Sequence, residues 1–153
     1  ALLSVTAWAY TKIGFVNTEK IFSDAATAVR AQKKIEKEFE KRDQEMQRLA
    51  KQLQAAQESL EKNAVTMSET EKRNKEREFN DLNRDFQRKQ REFREDLNQR
   101  RNEELAAVLE RANKAIKAIA EAEKYDVILQ EAVYASPKLD ITEKVIKALA
   151  DGK

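Results

Sequence analysis

From about Ala25 to Leu60 this chain repeats one set of side chains at steps of three and four without a break, and that pattern leaves it little choice but long helix. Ala28, Gln32, Ile35, Phe39, Arg42, Met46, Leu49, Leu53, Ala56 and Leu60 make one face, a heptad seam with polar interruptions at Gln32 and Arg42. Two glycines and one proline in 153 residues, 38% of them charged, supply few of the turns that a compact many-element core requires. The pattern breaks near Asn63. Ser68-Glu-Thr-Glu71 then reads as a capping box that opens a return helix running to about Glu123. Its seam begins Phe79, Leu82, Phe86, Lys89, Phe93, continues in steps of four through Leu97, Arg101 and Leu105, and resumes at Val108, Ala112, Ile116 and Ile119. A run of fours is a stutter, which locally unwinds a left-handed supercoil. Two such helices joined by a short break should pair antiparallel, the longer spanning roughly 75–80 Å.

The two ends differ in character from the middle. Lys12-Ile-Gly-Phe-Val-Asn17 is a β-prone run with Ile13 and Phe15 on one face, followed at once by the helix-capping types Asn17, Thr18, Ser23 and Asp24. Near the other end Tyr125-Asp-Val-Ile-Leu-Gln130 is a dense β-type run, and Ala132-Val-Tyr-Ala135 reads as a further strand that Ser136-Pro137 ends. Asp140-Ile-Thr-Glu143 reads as a second capping box, opening an amphipathic helix with Ile141, Val145, Ile146 and Leu149 inward.

The fold class that follows is mainly α with a small β part: a long antiparallel helical hairpin, a coiled-coil tentacle, projecting from a small β-rich oligomerisation body. Residues 25–122 form the hairpin arm with its tip near 63–70, and residues 10–24 with 123–153 form the body. About three short strands and one helix are too little core to stand alone. Either the body borrows stability from the base of the hairpin, or, the favoured reading, several copies pool their strands, through Ile13, Phe15, Val127, Ile128 and Leu129.

Absences narrow the chemistry. The chain has no histidine and no cysteine, which removes the usual general base, the commonest metal ligand, thiol nucleophiles and disulfides. No constellation of nucleophile, base and oxyanion donors can be assembled, so an enzyme is the least favoured class and catalytic, cofactor and metal residues are all expected to be none. Thirty basic against 28 acidic side chains give a net charge of +2, which makes no strong case for nucleic acid. Residues 1–9, ALLSVTAWA, are an apolar run ending in the small-x-small pattern Ala7-Trp8-Ala9, read as the remnant of a cleaved export signal with the mature chain beginning near Tyr10.

The order of these blocks, KIGFVN, the hairpin, YDVILQ and LDITEKVIKAL, resembles the Skp (OmpH-like) family of periplasmic chaperones across residues 11–150. The opening strand and the closing block are the specific matches, whereas the arms match in length and periodicity. The resemblance implies a homotrimer with three helical tentacles around a cavity. That cavity would hold unfolded outer-membrane β-barrel proteins in the periplasm without ATP. It also implies lipopolysaccharide or an anionic membrane surface as a partner. Lys89 and Arg100 occupy positions of the family's basic cluster, while Gln99 replaces a third basic residue and Arg101 stands beside it.

Between residues 72 and 101 the chain carries 11 basic against 7 acidic side chains, an asymmetry suited to steering an acidic client. Phe79, Leu82, Phe86 and Phe93 close the hairpin by seam packing. Beside a seam-position Lys89 they pack loosely enough for their rim to serve a client, and Val65 and Met67 offer contact at the tip. The competing reading is a structural coiled-coil spacer or scaffold without unfolded clients. It predicts an uninterrupted seam, against which the stutter after Phe93 counts.

Overall fold

The structure, a computed structural model, describes residues 10–152; the export-signal remnant read at residues 1–9 lies outside them. Its elements are β1 (Ile13–Phe15), α1 (Thr18–Asp24), α2 (Ala26–Asn63), α3 (Glu69–Ala122), β2 (Val127–Leu129) and α4 (Thr142–Asp151). The fold is mainly α with a small β part, dominated by two long helices joined through residues 64–68.

The chain divides into two compact units. One comprises Ala1–Gln32 and Glu103–Lys153, of which residues 10–32 and 103–152 are described; the other is Lys33–Asn102.

In the first unit β1 and β2 pair in parallel, with Ile13 opposite Val127, Gly14 opposite Ile128 and Phe15 opposite Leu129. Parallel strands need a long crossover, and here the two long helices are that crossover. β1 also pairs on its other side, where Phe15 N–H donates to the Leu139 carbonyl (2.7 Å) and Ile141 N–H to the Phe15 carbonyl (2.9 Å). This corrects the expected strand at 132–135. The second edge of β1 is taken by residues 139–141, and 132–135 has no strand partner among the described residues and is irregular, with Val133 and Tyr134 exposed.

The core of this unit is formed by Val16, Ile21, Ala25, Ala112, Ile141, Val145 and Leu149, with Tyr125, Ile128 and Ile146 packed against it. Ala25 explains the break between α1 and α2. Its extended backbone (ψ 130°) ends the short helix while its side chain is fully buried. Asn17 caps α1 by accepting from Lys20 N–H at 3.0 Å. Thr142, 1% exposed, ties the two ends of the chain together. Its hydroxyl accepts from Asn17 N–H at 2.9 Å and donates to Asp140.

The capping box expected at Asp140–Glu143 does not form. Asp140 is held by its bridge to β1, so Ile141 takes the cap position and the Asp140 carboxylate accepts from Thr142 N–H instead. Glu143 is left to pair with Lys20, whose ammonium that contact holds above the ordinary lysine range.

The end of α3 is closed by Lys124 in the left-handed region (φ 57°), letting Tyr125 N–H reach back to the Ala120 carbonyl at 2.9 Å. A residue with a Cβ is strained there, and glycine is the usual occupant. Lys124→Gly is therefore expected to raise stability by about 1 kcal/mol, read as a higher urea midpoint with an unchanged slope. A lowered midpoint would mean that the lysine side chain contributes more than its backbone strain costs.

In the second unit α2 and α3 form an antiparallel hairpin, shown by the pairings Glu38 with Arg100, Arg42 with Asp96 and Glu45 with Lys89. The turn into α3 carries the expected capping box. Glu71 N–H donates to the Ser68 hydroxyl at 3.2 Å, and Ser68 N–H to the Glu71 carboxylate at 3.1 Å.

Candidate functional site

The hairpin seam is closed at one end and loose at the other. In this unit Ile35, Phe39 and Leu49 are the buried large side chains. Phe39 meets Phe93 edge-to-face with ring centroids 5.5 Å apart and an interplanar angle of 82°. Arg42, which interrupts the heptad pattern, lays its guanidinium 5.3 Å from the Phe39 ring and 5.6 Å from the Phe93 ring, and donates to Asp96 at 2.8 Å. The polar interruption thus covers an aromatic pair. A cation over two ring faces, with its charge partly balanced by a carboxylate, can occupy a seam position without being stranded there.

One turn beyond, a polar gap interrupts the packing before Leu49 resumes it. Lys89 reaches Glu45 at 3.7 Å and Asp85 at 3.6 Å, and a cavity of about 240 Å³ opens between Arg42, Glu45, Met46, Lys89, Glu92 and Phe93. The cause is geometric: the lysine stem ends in a charge that must stay near carboxylates and water, so it cannot fill the space an apolar residue would. Arg48 first, with Lys89 adding to it, holds the Glu45 carboxyl below its ordinary range. Arg88 and then Lys89 do the same for Asp85.

Beyond Leu49 toward the tip no large apolar side chain of the hairpin is fully buried. Phe79, Leu82 and Phe86 are half-buried, as is Phe93, so each shows part of its apolar surface while contributing to the seam. At the turn Met67 is half-buried and Val65 is 94% exposed. Phe79, Leu82, Phe86 and Phe93 therefore share one partly covered face of α3, while Val65 and Met67 lie in the turn between the helices.

Past Phe93 the packed face does not follow the steps of four expected through Arg101 and Leu105. Leu97, Arg100, Glu104 and Val108 are the covered positions of α3, and Arg101 and Leu105 are exposed. Each step of four turns the helix by about 40°, and a step of three from Leu97 to Arg100 corrects that drift.

The three basic residues singled out for an anionic ligand do not converge. Lys89 and Arg100 are engaged in ion pairs toward α2, Arg100 with Glu38 at 2.9 Å. Arg101 is exposed and has no ion pair among the described residues.

In the first unit the sheet register places Ile13 opposite Val127 and Phe15 opposite Leu129, on the side facing away from the core. Ile13 is 38%, Val127 44% and Leu129 46% exposed. Ile128 is turned the other way, into the chain's own core, where it packs beside Gly14 and Tyr125. Val133 and Tyr134, absent from the residues singled out in the sequence, add two further exposed apolar side chains just past β2. In the sequence they read as part of a strand at 132–135, which hides them.

Among the described residues no group of three histidine, cysteine or carboxylate side chains is placed to hold a metal ion. None of the described helices is long and apolar enough to cross a membrane.

Comparison with known proteins bears on this geometry. A family model described as "Outer membrane protein (OmpH-like)" matches residues 12–149. Chaperone protein Skp of Photorhabdus laumondii is 34% identical over 146 residues, which cover 94% of this chain and 88% of the relative. Chaperone protein Skp of Yersinia enterocolitica is 30% identical over 138 residues, covering 89% and 84%. A solved OmpH-like protein from Caulobacter crescentus CB15 superposes with a TM-score of 0.77 over 94% of this chain and 86% of its own, at 16% identity. At that identity the likeness is one of fold.

Proposed function

The chain belongs to the OmpH-like outer membrane protein family, and from that membership we propose that it is an ATP-independent periplasmic holding chaperone. Its clients are unfolded outer-membrane β-barrel proteins, held in a cavity between the arms of a homotrimer so that they do not aggregate. Export by a cleaved signal peptide is part of the same reading. The observation that carries it is the partly open strip Phe79, Leu82, Phe86 and Phe93, set in a stretch with 11 basic and 7 acidic side chains. Partly exposed aromatic surface gives grip on an apolar segment, and weak contacts of mixed type hold many sequences without imposing a fold. Val65 and Met67 would extend that grip to the tip. The edge made by Ile13, Phe15, Val127 and Leu129 would join the three copies. Lipopolysaccharide or an anionic membrane surface is a weaker candidate partner, because Lys89 and Arg100 are already engaged.

The test is light scattering from a denatured outer-membrane β-barrel protein diluted into nucleotide-free buffer, with and without this protein. Suppressed scattering, with a column-purified complex whose mass equals one client and one trimer, is the expected result. Undiminished scattering in the presence of a well-formed oligomer would overturn it and favour a coiled-coil spacer without unfolded clients.

A further inference from the structure

α3 carries a second line of side chains, on a face other than the one that holds the phenylalanines. Arg73, Arg77, Asn80, Arg84, Gln87 and Arg91 follow one another at steps of four and three, so they stack along the helix. All six are exposed, and the line contains no acidic residue. Arg84 pairs with Asp81, whereas Arg73, Arg77 and Arg91 have no ion pair among the described residues. The acids Asp85 and Glu92 are spent on Arg88 and Lys89 instead. Near the turn, Arg73, Arg77, Asn80 and Arg84 line a shallow open depression together with Glu76, Asp81 and Asn83. Like charges spaced along one helix face repel one another.

The chemistry of the line selects its occupant. Guanidinium groups favour carboxylates or phosphates, which they bind through paired N–H donors. The line has no apolar side chain to enter hydrocarbon and no aromatic ring on which a base could stack. Between the arginines stand amides, which both donate and accept and so suit the alternating N–H and C=O groups of a peptide backbone. Arg77, Arg84 and Arg91 recur every seven residues, about 10.5 Å apart on a helix. An unfolded chain spends much of its time in polyproline II conformation, where every third side chain returns to the same side after about 9.3 Å. Same-face residues of a β-strand recur after about 6.7 Å and fit less well. Long arginine side chains absorb the remaining mismatch of about 1 Å.

We propose that this line is a docking track for extended acidic polypeptide, preferring carboxylates three residues apart. The inference rests on the holding-chaperone reading and names the kind of client segment that the basic side of the arm selects.

Two labelled peptides of about fifteen residues and identical composition separate the possibilities, one with glutamate at every third position and one with its glutamates gathered at one end. Their binding is measured by fluorescence anisotropy to the full protein and to the triple variant Arg77→Gln, Arg84→Gln, Arg91→Gln. Glutamine keeps the helix propensity, and circular dichroism checks that the helix is kept. The wild-type protein is expected to bind the spaced peptide at least about tenfold more tightly than the gathered one, and the variant to lose that preference. Equal affinities, or a preference that survives in the variant, would overturn the proposal. So would a variant that binds both peptides normally but no longer sediments with vesicles of phosphatidylglycerol and phosphatidylcholine, since the line would then serve a lipid surface. The light-scattering assay runs alongside. A protein that holds its client but shows no spacing preference loses only the docking track; one that holds no client loses the reading beneath it as well.

Discussion

Ile21→Ala lowers the stability of the first unit by about 2–4 kcal/mol, the range for deleting most of a fully buried aliphatic side chain. Ile21 is 1% exposed and sits among Val16, Ala25, Val145 and Leu149. Its helix α1 is only seven residues long, too short to persist without tertiary contacts, so the side chain anchors the element that carries it. The surroundings are backbone-tethered strands and the buried face of α4, which cannot collapse far into the space left behind. For a unit of this size the loss corresponds to a drop in melting temperature on the order of 10–20 °C. The comparison is made at fixed protein concentration, because association would add to the apparent stability. Val65→Ala, at a side chain 94% exposed, serves as the reference and is expected to change stability by less than about 0.5 kcal/mol. If Ile21→Ala proves as mild as that reference, the cluster around Ile21 is not the core of the unit.

The features legible in the sequence are those set by neighbours along the chain. Helical periodicity, the break near Asn63 and the reciprocal Ser68–Glu71 capping box are all local, and each stands in the structure. Asp140–Glu143 likewise offers a capping residue with a glutamate three positions on and fails as a capping box, because Asp140 is held by a bridge to Phe15, more than a hundred residues away in sequence. Residues 139–141, not 132–135, take the second edge of β1. Arg42 was visible only as a flaw in the heptad pattern. That it covers the Phe39–Phe93 pair depends on which residue the returning helix sets beside it. A one-step slip past Phe93 likewise exchanged Arg101 for Arg100 as the covered position. Pattern reading finds which face of an element is apolar; it does not find what another element brings to that face.

The double substitution Val127→Glu, Leu129→Glu is expected to leave the chain helical while converting the proposed trimer into monomers that no longer suppress client aggregation. Both side chains point away from the core of their own unit and are nearly half exposed, so glutamate at either position meets solvent in a single copy. β2 is an edge strand of a two-stranded sheet. Val127 N–H bonds to the Lys12 carbonyl and Val16 N–H to the Leu129 carbonyl. Since alternate residues of a parallel strand bond to opposite sides, the backbone groups of Ile128 face away from β1. An edge that is short, apolar on its outward face and unpaired is the arrangement that strand pooling between copies would satisfy. A carboxylate forced into such a shared core without a partner costs about 3–5 kcal/mol, and every copy would bring two. That is enough to move the equilibrium by several powers of ten. In-line mass determination on a sizing column reads the outcome directly, with far-UV circular dichroism to show that α2 and α3 persist. Val65→Glu, the same chemical change at the exposed turn of the arm, should leave the mass unaltered. A double variant that keeps the wild-type mass would place the contact between copies elsewhere, with Val133 and Tyr134 the next surface to substitute. One that becomes monomeric yet still holds its client would separate holding from assembly and leave the individual arm as the working unit.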